Sequence, residues 1–187
     1  MAPGEREWPI WQSIIDRAID RNDPEGALSE RGRRSPQGKG RSEAHWLATL
    51  TKQAEADVAD KHDRSACLEY EILILSRPQD PDLLNQLAWT YLTSKDAAAR
   101  DPKRGLELAQ RAVALHRSAN ILDTVAEGYY QAGMPGEAVK LEQEALAQLR
   151  ISVIGRRGSP VEFERQLKKF KAAQKAAAAA VTSAPRT

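Results

Sequence analysis

Leu84, Leu87, Ala88 and Tyr91 in one stretch of the chain, and Leu122, Val125, Ala126 and Tyr129 in another, fall at the same spacing. That spacing stacks four apolar side chains on one face of an α-helix, whereas on a strand it would scatter them over both faces. A helix with such a stripe has to bury it against another helix, and one stripe pattern used twice points to a repeated unit. Trp11, Ile14, Ile15, Ala18 and Ile19 form a third stripe near the start.

The punctuation between stripes agrees. Asp23-Pro24, Asp80-Pro81, Asp101-Pro102 and Ser159-Pro160 each set a capping side chain before a proline suited to the first helical position. Glu162 completes a capping box with Ser159. No run alternates apolar and polar residues as a half-buried strand would. Hydrophobic residues make up 41% of the chain but aromatics only 5%, so the core must come from Leu, Ile, Val and Ala, a helix-leaning set. These features predict an all-α chain, and 187 residues suffice for a core without disulfide or metal staples.

Small residues at Ala66, Gly105 and Ala138 recur in the second helix of each expected pair, and "DPEGAL" from Asp23 echoes "DPKRGL" from Asp101. Periods of this length mark solenoids. With Leu-small and then Tyr on one helix and spaced small residues on the next, "LLNQLAWTYL" followed by "DPKRGLELAQRAVAL", and "ILDTVAEGYYQAGMPGEAVKLEQEAL", resemble tetratricopeptide repeats. In the second of these, Glu142 replaces a large apolar residue that the resemblance leads one to expect, and in the first, "TSKDAAARD" lengthens the turn.

The resemblance implies a right-handed α-solenoid of antiparallel helix pairs, with three repeats over residues 42–149. Residues 1–30 form an N-terminal helical segment that fits the front of a degenerate leading repeat, and residues 31–41 a flexible basic loop. A capping helix over 159–176 turns Phe163, Leu167, Phe170 and Gln174 toward the last repeat, and a disordered tail follows over 177–187. The concave groove of such a solenoid would present Asp82, Asn85 and Trp89 from one repeat and Asn120, Asp123, Glu127 and Tyr130 from the next. This surface has acids and no Lys or Arg. It suits a basic or polar partner segment with an apolar anchor, not a carboxylate tail.

Chemistry is sparse. Gly128, Gly133 and Gly136 lack the Lys-Ser/Thr of a phosphate loop and follow no strand. Gly133 reads as a left-handed helix end before Pro135, and Gly128 as a point where the two helices of the pair approach closely. His45, His62 and His116 stand singly, and the lone Cys67 sits in an apolar setting, so no metal or cofactor is expected. No nucleophile stands near a base, which argues against an enzyme.

Net charge is +2, yet Arg31, Arg33, Arg34, Lys39 and Arg41 contribute +5, leaving −3 for the rest. With Gly, Ser and Pro between the charges and no aromatic among them, a solvated linker is the favoured reading of this stretch; nucleic-acid or anionic-surface binding is the alternative. The expectation is thus a non-enzymatic interaction module, an adaptor or accessory subunit. It is placed in the cytoplasm because no signal sequence or membrane span is visible in the chain as written. Trp8 and Trp11 would offer a face for self-association.

Overall fold

A computed structural model describes residues 8–34, 41–151 and 160–183, all helix and connecting turns with no strand among them. In chain order the helices are α1 (Trp8–Arg21), α2 (Pro24–Arg34), α3 (Arg41–Asp60), α4 (Asp63–Ser76), α5 (Pro81–Thr93), α6 (Pro102–Leu115), α7 (Ala119–Gln131), α8 (Pro135–Ile151) and α9 (Pro160–Ser183).

The Asp-Pro pairs do open helices. Asp23 Oδ1 accepts from the Gly26 N–H at 2.8 Å, Asp80 Oδ1 from the Asp82 and Leu83 N–H groups at 3.1 and 3.2 Å, and Asp101 Oδ1 from the Arg104 N–H at 3.0 Å. Each satisfies donors that a helix start leaves without an intrahelical partner. Pro160 opens α9, while Ser159 lies outside the described residues.

Three pairs, α1/α2, α3/α4 and α7/α8, reverse through one kind of turn. Asn22, Lys61 and Gly133 take positive φ of 52, 67 and 77°. The next N–H then reaches back to the last turn: Asp23 to Ala18 O, His62 to Asp57 O, and Met134 to Tyr129 O at 3.0, 2.8 and 2.9 Å. Each end is a Schellman motif, and its short connection makes the two helices antiparallel neighbours.

The chain forms two compact units, Met1–Arg100 and Asp101–Thr187. The division falls at the end of the lengthened α5–α6 connector. In the first unit α4 packs against α1, α2, α3 and α5. Its residues Ala66 through Tyr70, Ile72 and Leu73 are all buried, so this helix has no solvent face over its middle. The connector stays with this unit: Ser94 Oγ donates to Asp63 Oδ2 at 2.6 Å, and the buried Cys67 Sγ lies 3.9 Å from Ala99 O.

In the second unit α7 packs against both α6 and α8, and α9 packs on α8. Phe163 joins Ala119, Leu122, Ala145 and Leu146 in one cluster, and Phe170 joins Ala126, Ala138 and Val139 in another, so α9 also covers α7. Gly128 permits a close approach, but to α6 and not to its own pair partner α8: a Cβ there would stand 2.8 Å from Leu106 Cδ1. The stripe pattern could not say which neighbour that face meets. Helix α9 also continues to Ser183, past the expected end near residue 176; Ala176–Ala180 are exposed, and alanine's helix propensity extends the helix where packing does not.

Gly133 has open space around its Cα, so only its backbone conformation resists a side chain. Gly133→Ala should lower stability by about 1 kcal/mol in chemical denaturation, without changing the helical circular dichroism spectrum.

Candidate functional site

Both ends of the basic stretch expected as a loop are helical. Arg31, Arg33 and Arg34 continue α2, and Arg41 opens α3; Lys39 lies outside the described residues, as do the side chains of Arg34 and Arg41. Arg31 is turned inward. Its guanidinium sits 4.3 Å from the Trp46 ring centroid and 6.0 Å from that of Trp11, with Glu43 at 3.6 Å, and its side chain is only 15% exposed. Helix α2 delivers the cation between indoles from α1 and α3, where cation–π attraction and burial of the apolar stem act together. Trp11 is therefore buried and forms no open self-association face, and Trp8's side chain lies outside the described residues. Arg33 remains exposed.

Of the residues expected to line a groove in the first unit, Asp82 is exposed in the first turn of α5 and Asn85 is half-buried, its Oδ1 without a partner. Trp89, one further turn along, is half-buried in the wall of an open cavity of about 320 Å³. Val58 from the end of α3, Lys61 of the turn after it, Asp63 from the start of α4, Thr90 and Thr93 of α5 and the connector residues Ser94, Lys95 and Asp96 complete the lining. The sequence signal for Trp89 was its place on the first-helix face. Lys61 and Lys95 were missed because they come from a turn and a connector, although the extra residues of "TSKDAAARD" marked that wall. Asp63 accepts from Ser94 and Asp96 Oδ1 from the Ala98 N–H, so both carboxylates hold the connector.

The second unit brings Asp123, Glu127 and Tyr130 together on α7, beneath α9. Asn120, at the start of the helix, is exposed. Lys169 of α9 places Nζ 2.7 Å from Glu127 Oε2 and 4.3 Å from the Tyr130 ring centroid. Gln166 of α9 and Gln131 of α7 donate to the same carboxylate at 3.4 and 3.0 Å. Phe170, fully buried, lies 5.2 Å from the Tyr130 ring at an interplanar angle of 39°. Packing thus uses the residues that helix-by-helix reading leaves over, because the third helix is supplied from more than thirty residues away.

Beside this contact Glu142 of α8 is completely buried. No N–H group reaches its two oxygens or Asp123 Oδ1, and the two carboxyls hydrogen-bond each other. Burial raises both carboxyls above the usual carboxylate range, and the Asp123 charge and the Asp123–Glu142 hydrogen bond raise Glu142 further, so the pair shares a proton. In the first unit Glu69, 1% exposed, is pushed up from 4.5 to about 8 by burial and then by the charges of Asp57 and Asp16.

Among the described residues no three His, Cys, Asp or Glu side chains converge on a metal-sized site, and no helix is long and apolar enough to cross a membrane. No protein-family model matches the chain, and no curated protein gives a significant sequence match.

Arg31→Ala should destabilise the first unit by about 1–2 kcal/mol, while Arg33→Ala changes stability by less than about 0.5 kcal/mol, both read from denaturation midpoints. Glu69 and Glu142 bind protons more tightly when folded than when unfolded. The stability they contribute is full below about pH 4.5 and is lost as pH rises through their folded values, about 8 for Glu69. The melting temperature should therefore fall between pH 5 and pH 8, and the Glu69→Gln, Glu142→Gln double variant should flatten that fall.

Proposed function

We propose that this chain is a non-enzymatic protein-interaction module, an adaptor or accessory subunit acting in the cytoplasm. In this reading its helix pairs are tetratricopeptide-like repeats of a right-handed α-solenoid. Support for the repeat reading comes from the shared left-handed turns at Asn22, Lys61 and Gly133 and from the burial of Ala66, Gly105 and Ala138 on the second helices.

The observation that carries the function is the open cavity at Trp89. A half-buried indole beside Val58 offers apolar surface, and a space of about 320 Å³ is of the size that one or two side chains of a partner segment fill. The indole is the kind of residue that dominates binding energy when a partner excludes water around it. Around it stand two lysines and two aspartates, Lys61, Lys95, Asp63 and Asp96, a rim suited to a polar segment that carries an apolar anchor. Of the acids that argued for a basic partner, Asp82 lies exposed in the first unit, and Asp123 and Glu127 bear on the second.

The alternative, binding of nucleic acid through the Arg31–Arg41 stretch, is weakened by the enclosure of Arg31 between Trp11 and Trp46. The two readings separate in a capture experiment with the full chain. A partner retained at 0.5 M salt (roughly the range where phosphate-backbone contacts have lost most of their affinity), kept by Arg33→Ala, and weakened about thirtyfold or more by Trp89→Ala is the expected result. Binding that collapses with salt and follows Arg33 would overturn it.

A further inference from the structure

The face that α7 and α8 turn toward α9 is poorly suited to a permanent packing surface. Glu142 has no exposed surface, and Asp123 and Glu127 lie on the same face. An apolar side chain at position 142 would pack there without the desolvation that a buried carboxyl suffers, and the carboxyl found there has another carboxyl, that of Asp123, as its hydrogen-bond partner. Local rules of packing are broken in this way where a surface has a binding role to fulfil.

Helix α9 meets that face as a ligand meets a receptor. Lys169 supplies one cation to the acids and lies over the Tyr130 ring, Gln166 adds an amide, and Phe170 is the anchor, buried among Ala126, Ala138 and Val139. Leu167 and Phe163 extend the apolar line one and two turns toward the helix start. Gln174 lies beside Gly136 of α8, and Ala176–Ala180 stand exposed.

We propose that the α7–α8 face is a recognition site for a basic amphipathic helix, with α9 as its resident ligand. A partner helix exchanges with α9 when it carries a Lys–aromatic pair and apolar residues at the positions of Phe163 and Leu167. Acid on the receptor and a lysine hook on the ligand set the sign of the partner's charge, and the pocket under Phe170 sets the need for an aromatic. This assignment rests on the interaction-module reading and names the partner class for the second unit. Trp89 belongs to the first unit, so loss of either site's binding is separable from the other's.

The test uses the full chain and a labelled peptide of residues 160–183, followed by fluorescence anisotropy. Saturable binding to the wild-type chain is expected, at least tenfold tighter to the Lys169→Ala chain, whose resident helix is weakened. Gln166→Ala serves the same purpose should Lys169→Ala unfold. Joining α9 to α8 in a Gly136→Cys, Gln174→Cys chain with a short thiol-reactive linker should abolish binding, and a peptide carrying Lys169→Glu and Phe170→Ala should not bind. No saturable binding to folded wild-type and weakened chains, equal binding by the linked chain, or equal binding of the altered peptide would each overturn the proposal.

Discussion

Three helix pairs in this molecule depend on chain reversals too short to let two helices part. A residue with positive φ ends α1, α3 and α7, the following N–H groups close the helix end, and the next helix starts within a residue or two. Each helix then has its sequence neighbour as its packing neighbour, and apolar stripes spaced for one face find one another. Only glycine adopts that backbone without steric cost, yet Asn22 and Lys61 hold it as well. In these pairs the packing that follows compensates for a strained turn.

Where charges sit follows from packing among three helices, not two. Arg31 looks like part of a solvated basic stretch, but two indoles from different helices enclose it. Glu127 looks like a groove residue, but Lys169 reaches it from α9. In both cases the charge is paired or stacked before it is buried, which the low dielectric of an interior requires. Glu142 and Glu69 find no such partner and keep a proton instead, so the same physics yields pH sensitivity where it does not yield a salt bridge.

Helix starts, turn glycine and core stripes were legible because they are local. Pro at the first position, Asp before it and the i, i+3, i+4 rhythm act within a few residues. The candidate site was legible only in part. Trp89 stood out as an aromatic that intrahelical packing does not require, and it does line a cavity. Asp123, Glu127 and Tyr130 stood out for the same reason and were assigned to an open surface. Their cover, α9, was itself expected to cap the last repeat, but its stripe alone does not say which side chains it meets.

The sequence by itself determined an all-helical chain, the places where most helices begin, and which face of each helix is apolar. These follow from capping chemistry, backbone conformation and a period of 3.6 residues, all of which act over one or two turns. Only the tertiary structure decided that Gly128 faces α6, that Arg31 is enclosed by tryptophans, that connector residues wall the Trp89 cavity, and that α9 covers the acids of α7. Those outcomes depend on contacts between helices distant in sequence, and the strength of a charge or a vacancy there is set by how completely the neighbours exclude water.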